Sequence, residues 1–291
     1  MRISPLIAIL IVILGSCDND DQRANQHFLN ATAYFEKKDF LTALIEVDSA
    51  LNFDSTNCDI LILKAKIKSK TNNDQVAIKI LKSVLHRSCK IDTVNYLIGL
   101  SYFNLGSFYV LQKKDVGEQH AAFENSVAYF DFAIEKNPKF LLAYVNKQNA
   151  LHNLGRFDDA LIAIELTIRL FKGVTSLVSK RGVEKYFLGD NVGAMNDLNA
   201  SIQSKELDSI DLAVAYRFRG EIFFSEGRVN EAISDLTSAI YLNPKDLSAY
   251  SVRAKLYRSK ELKEKACEDY RKAAELGYVS IYEIIEEYCG K

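Results

Sequence analysis

The chain has 291 residues, 48% of them hydrophobic and 26% charged, with 37 basic against 38 acidic side chains and a formal net charge of −1. That balance gives no general electrostatic drive toward nucleic acid. The hydrophobic share is that of an ordinary globular core, and only three prolines with little apolar–polar alternation argue for helices rather than strands.

The first element is an N-terminal leader, residues 1–16. Arg2 supplies a positive start, Leu6 to Leu14 is an unbroken apolar run, and Gly15 and Ser16 are small. The run is shorter than the ~20 residues a spanning helix needs and has the proportions of a signal-peptide core. Leu14-Gly15-Ser16-Cys17 resembles the bacterial lipobox. The resemblance implies that Cys17 becomes the acylated N-terminus, carrying palmitate-type chains that hold the mature protein on a membrane without crossing it. Residues 17–23 then read as an acidic tether. Asp18-Asn19-Asp20-Asp21 resembles a surface-export signal of some Gram-negative lipoproteins, an inner-membrane retention signal of others, or a plain solvated spacer.

From residue 24 the chain keeps a 34-residue beat. Residues 24–57 place Ala31, Tyr34, Ala43 and Ala50 in a frame that residues 58–91 repeat with Leu61, Ala65, Ala77, Leu81 and Val84. Residues 92–140 carry Gly99, Tyr102, Phe130, Ala133 and Pro138 but are 15 residues too long (49 against 34). Apolar spacing continues through Leu105, Phe108, Tyr109 and Leu111, breaks at Lys113–Gly117, and resumes at Ala121, which predicts two helices each about two turns longer than their neighbours. Residues 141–174 carry Tyr144, Leu151, Ala160 and Ile164. Residues 175–208 carry Gly182, Ala194 and Leu198, with Lys185 where an apolar residue belongs. Residues 213–246 give the clearest copy, with Tyr216, Gly220, Ala232, Leu236, Ala239 and Pro244. Residues 247–280 follow with Tyr250, Ala254, Tyr257, Ala266, Tyr270 and Ala273, and residues 281–291 read as a capping helix.

The pattern has a mechanical sense. Small residues at positions 8 and 20 let two helices cross at the usual ~8–10 Å. Gly155, Gly189 and Gly227 suit left-handed helix caps, and Asn137-Pro138 and Asn243-Pro244 stop helices. The frame resembles the tetratricopeptide repeat (TPR), whose helix pairs bury apolar area by stacking on one another. The resemblance implies an all-α solenoid, a right-handed superhelix of antiparallel helix pairs, that binds rather than transforms. It further implies that positions 2, 5, 9 and 12 of each first helix line a partner-binding groove. Those positions include Phe28, Phe35, Tyr96, Phe103, Asn149, Tyr186, Arg217, Phe224, Lys255 and Arg258, aromatic toward one end and basic toward the other. Such a groove suits an extended or helical peptide with an acidic end. The chaperone-binding carboxylate clamp is absent as a set: Asn149 is present, but Val145 and Lys180 replace its lysine and second asparagine. Phe108 and Tyr109, on the lengthened third hairpin, form a second candidate contact element.

Four cysteines follow Cys17. Hairpin geometry places Cys58 near Cys89, and Cys267 near Cys289, so each pair is a candidate disulfide, but buried free thiols are the favoured reading. His27, His86, His120 and His152 are isolated, and no H-E-x-x-H, C-x-x-C, Walker A, G-x-G-x-x-G or G-x-S-x-G sequence occurs. No metal, cofactor or enzymatic activity is expected. The reading is a lipid-anchored scaffold of a Gram-negative envelope (outer membrane, periplasmic or surface face) that captures envelope proteins or peptide segments. The alternative is a surface lipoprotein that captures a glycan for an outer-membrane system.

Overall fold

The computed structural model describes residues 5–290, with side chains described from residue 19 onward. The leader's side chains and that of Cys17 lie outside the described residues. Among the described residues every regular element is helical, and no helix is long and apolar enough to cross a membrane. The chain divides into two compact units, residues 1–154 and 155–291, and the division falls inside the predicted 141–174 repeat, between its two helices.

The first unit holds α1 (Pro5–Glu36), α2 (Phe40–Phe53), α3 (Cys58–Lys70), α4 (Asp74–Leu85), α5 (Ile91–Leu111), α6 (Val116–Lys136) and α7 (Leu141–Asn153). α1 runs as helix through residues 17–23, where the sequence pattern expects a tether. The helices pack as successive hairpins, each second helix also contacting the first helix of the next hairpin. α3 shows why stacking is obligatory. Its Ile60, Leu63 and Ile67 close a core with α1 and α2, while its Ile62 and Ala65 face the other way into a core with α4 and α5. A helix with two apolar faces is satisfied only between neighbours.

The second unit holds α8 (Phe157–Leu170), α9 (Thr175–Phe187), α10 (Asn191–Ser204), α11 (Ser209–Ser225), α12 (Val229–Leu242), α13 (Leu247–Ser259) and α14 (Lys263–Glu275). The predicted capping helix is instead three short pieces: a 3-10 turn Val279–Ile281, one α turn Tyr282–Ile284, and a π turn Ile285–Cys289. Ile281 is fully buried against the α13–α14 core right after the Gly277 turn. So early an insertion leaves no room for a regular helix start.

Local chemistry explains the hairpins. The frame-position-20 alanines Ala43, Ala77, Ala160, Ala194, Ala232 and Ala266 are completely buried. At position 8, a Cβ placed on Gly99 would lie 2.8 Å from the Phe130 ring, so that crossing requires glycine unless the ring shifts, and one on Gly220 would lie 3.1 Å from Leu236, a tight approach. Position 15 is left-handed in hairpin after hairpin. Gly189 and Gly227 adopt φ of 82° and 74° without a Cβ penalty. Lys38, Asn72 and Glu261 hold the same turn at 61°, 58° and 59°. In the long hairpin that residue is Lys113 (φ 50°), the 22nd of its repeat, so α5 gains seven residues, two turns, before an otherwise unchanged turn. Asn137 and Asn243 leave the α region before their prolines.

Two disulfides join Cys58 to Cys89 and Cys267 to Cys289, with Cα–Cα separations of 6.4 and 5.6 Å. The free thiols that the sequence reading favours are thereby corrected to bonded pairs.

Candidate functional site

In the first unit, the first helices α1, α3 and α5 line a cavity of about 340 Å³ whose walls include Phe35, Lys66, Leu97, Leu100 and Asn104. Several predicted groove aromatics serve as packing here. Phe28 and Phe35 are half-buried against the α1–α2–α3 core, with Phe35 tilted on Phe40 at 5.7 Å. Tyr96 lies against Phe140 and Phe130, and its hydroxyl accepts a hydrogen bond from Asn146 Nδ2 at 3.1 Å. Phe103 meets Phe123 edge-on. Asn149 is half-buried on α7.

Beside this cavity lies a larger cleft of about 630 Å³, sharing Ser69, Lys70 and Asn104 with it. The two extra turns of α5 create it by carrying Leu105, Phe108, Tyr109 and Leu111 past the α3–α4 turn. Gln75 Nε2 donates to the Tyr109 hydroxyl at 3.2 Å and so braces that turn against α5. Phe108 keeps 46% of its surface exposed. Asp74 forms part of the cleft wall and is only 7% exposed. Its Oδ1 accepts from Ser69 Oγ at 2.6 Å and Asn104 Nδ2 at 3.3 Å. Sequence reasoning missed this residue, because Asp at the first position after an Asn-Asn turn reads as an exposed helix start.

In the second unit one of the expected basic groove groups, Arg217, is engaged by carboxylates. Arg217 Nη1 donates to Glu221 Oε1 at 2.8 Å, its Nε lies 3.1 Å from Asp246, and its guanidinium rests 3.9 Å over the Phe218 ring. The Tyr186 hydroxyl donates to the other oxygen of Glu221 at 2.9 Å. Burial, with the Glu221 charge second, pushes Tyr186 up to about 12, so it stays a neutral donor. Arg258 lies over Tyr288 at 4.7 Å. Lys255 and Phe224 remain exposed. Of the three expected basic groups, only Arg217 is met by carboxylates among the described residues, Glu221 on its own helix and Asp246 at the start of α13.

A second pattern recurs three times. Arg181, Arg219 and Arg253, at frame position 7, each make a bidentate bond to an aspartate 16 residues on: Asp197, Asp235 and Asp269. These carboxylates are nearly buried. Arg219 also donates to Asn199 and Arg253 to Thr237 on the preceding hairpin, so these two arginines each tie three helices together. Lys185, apparently misplaced in the sequence, donates to Asp197 at 2.8 Å.

Asp74 of the first unit and Asp197 of the second respond oppositely to acid. Burial lifts Asp74 above its ordinary value of 3.8, against the bonds from Ser69 and Asn104. Burial also pushes Asp197 upward, but the bonds from Arg181 and Lys185 outweigh it and hold Asp197 below 3.8. A raised carboxylate costs stability above its folded value, and that cost fades as pH falls toward the unfolded value. A depressed one contributes stability above the unfolded value, and loses it as pH falls through the folded one. Acidification should therefore first firm α3–α4, then below about pH 3.8 loosen α9–α10. Hydrogen-exchange protection factors across that range measure both, and equal responses in the two hairpins would contradict the assignment.

Among the described residues no group of three His, Cys, Asp or Glu side chains could hold a metal ion.

Helix hairpins stacked through shared two-faced helices, with small residues at each crossing, define an all-α repeat protein of the solenoid type. The tetratricopeptide repeat model matches residues 213–246 and 247–276. A human protein, tetratricopeptide repeat protein 13, is 29% identical over 174 residues, 57% of this chain and 18% of its own length, so the chain spans less than a fifth of that relative. A tetratricopeptide repeat protein from Parabacteroides merdae has a similar fold (TM-score 0.71, 17% identity, 91% of this chain and 98% of that one). PilW, a type IV pilus biogenesis factor, is similar at TM-score 0.60 with 18% identity, covering 79% of this chain and 97% of PilW. PilF of Pseudomonas aeruginosa is similar at 0.58 with 15% identity, covering 81% and 99%. Residues 213–276 thus match the tetratricopeptide repeat model, and the fold is similar to that of tetratricopeptide repeat solenoids.

Proposed function

We propose that this chain is a lipid-anchored interaction scaffold of a bacterial cell envelope, holding partner proteins near the membrane that bears its acyl chains. The observation that carries the reading is the fate of its five cysteines. Four form two disulfides, as expected of a chain that matures outside a reducing cytosol. The fifth, Cys17, stands directly behind a nine-residue apolar run and two small residues, where a lipoprotein carries its thioether lipid. The repeats supply the binding function, with Phe224 and Lys255 among the exposed first-helix side chains of the second unit. Localisation and partner class are tested together. Cys17→Ser should move the chain from the membrane pellet to the soluble fraction and abolish incorporation of labelled palmitate. A photo-crosslinker at Phe224 should yield discrete protein adducts in intact cells. Retention of the Cys17→Ser chain in the pellet, or adducts no different from those at Leu41, an exposed residue of the second helix α2, would reject the proposal.

A further inference from the structure

The cleft beneath the lengthened hairpin has its polarity inverted relative to a peptide pocket. In a typical recognition pocket an apolar floor receives a side chain and a few polar groups fix its orientation. Here the most deeply placed charged group is Asp74, 7% exposed, with half-buried Asn104 and Ser69 beside it. The apolar groups stand at the lip: Phe108 is 46% exposed and Leu111 79%. Charge is balanced, because the lining holds one cation, Lys70, and one anion, Asp74, while its remaining polar side chains are neutral amides and hydroxyls. A strongly charged ligand gains nothing in such a site. A ligand with hydroxyl-rich edges and one apolar face does.

We infer that this cleft is a binding site for a neutral glycan, with a sugar ring lying on the Phe108 face and its hydroxyls turned inward to Asp74, Asn104 and Gln75. Asp74 accepts through one oxygen from Ser69 and Asn104. Ser101 bonds to the carboxylate as well, and with about four lone-pair sites on its two oxygens acceptor capacity remains for about one sugar hydroxyl. The Asn104 amide nitrogen is engaged by Ser69 and Asp74, which leaves its oxygen as an acceptor, while Gln75 donates one N–H to Tyr109 and keeps a second N–H and its oxygen for neighbouring hydroxyls. The volume, about 630 Å³, is within the range of small-ligand sites. The site exists only because α5 gains two turns, so it gives the extra residues of the third repeat a purpose.

The test uses the full chain in a sugar-free zwitterionic detergent, with maltose, cellobiose, mannobiose and N,N′-diacetylchitobiose as probes, read by saturation-transfer NMR and calorimetry. At least one disaccharide should bind with a Kd at or below about 10 mM. Phe108→Ala and Asp74→Asn should each weaken it by about tenfold or more, and Phe224→Ala, in the second unit, should not. Phe108 is exposed, and Asp74→Asn retains both shape and the acceptor for Ser69, so circular dichroism should show folded proteins. Failure of all four probes, or binding that survives Phe108→Ala, overturns the assignment. So does a result in which no sugar binds but Phe108→Ala abolishes protein crosslinking, which would make the cleft a protein site. Sugar binding does not depend on Cys17, so its outcome is separate from that of the membrane scaffold.

Discussion

Arg253→Ala is expected to destabilise the C-terminal repeat by about 3–5 kcal/mol, the usual cost of removing one partner from a buried ion pair. The reason lies with Asp269. Its side chain is 5% exposed and both oxygens are bound by the Arg253 fork, at 2.8 Å each. Without the guanidinium the carboxylate is buried with no cation beside it. Thr237 on the preceding hairpin also loses a donor, so the damage reaches α12. Replacing both partners, Arg253→Met with Asp269→Leu, should recover most or all of the loss, because two apolar side chains avoid desolvating two charges. Stability in a repeat array is distributed between neighbours, so the loss should appear as local opening of α13–α14 before the rest melts. Hydrogen exchange resolved by segment, with denaturant melts of the single and double variants, measures this. A double variant as unstable as Arg253→Ala would show that the pair is not the source.

The arginine–aspartate ties show what the sequence made legible and what it hid. The alanine and glycine crossings could be read directly, because burial at positions 8 and 20 is a matter of size, and size is written in the residue type. The lengthened third repeat could be counted. The three pairs, each 16 residues apart, were equally present in the sequence but looked like ordinary charged helix surface. Periodicity assigns charges to solvent and cannot show that an aspartate at position 23 turns into the hairpin. Lys185 was obscured for the same reason: its place among apolar positions makes sense only once Asp197 is seen between it and Arg181. The left-handed turns at Lys38, Asn72 and Glu261 carry no glycine to mark them.

The candidate site was legible in part. First-helix positions did bring Phe35, Lys66, Leu97 and Leu100 around one cavity, as a shared frame requires. The frame could not say which aromatics would be consumed by packing. Tyr96 and Phe103 are, whereas Phe108 and Phe224 keep exposed surface. Nor could it show that Arg217 faces Glu221 one turn along its own helix and Asp246 beyond it. Asp74 was invisible because its burial depends on α5 rising over the α3–α4 turn, a contact with Asn104 30 residues away.

Removing the Cys267–Cys289 disulfide by Cys267→Ala with Cys289→Ala is expected to cost about 3 kcal/mol, the loop-closure value for a separation of 22 residues. The cost should fall on one place. The segment after Gly277 is three short turns rather than a helix, so its backbone gains little from its own hydrogen bonds. It is held by buried Ile281, by Tyr288 under Arg258 and Lys263, and by the disulfide. Without the covalent link residues 279–289 should lose protection from hydrogen exchange, and the α14 face around Tyr270 and Ala274 that Ile281 helps to cover should become accessible. A terminal repeat that exposes its stacking face is prone to self-association, so the variant should also form concentration-dependent oligomers. Cys58→Ala with Cys89→Ala should behave differently. Its loop is of similar size, at 31 residues, but α3 is clamped between two cores and α4 is packed in one of them. Loss there should lower the unfolding midpoint without local fraying or association. Exchange profiles and light scattering of the two variants side by side distinguish the cases. Unchanged protection at 279–289 after loss of Cys267–Cys289 would mean that Ile281 and Tyr288 alone hold the cap.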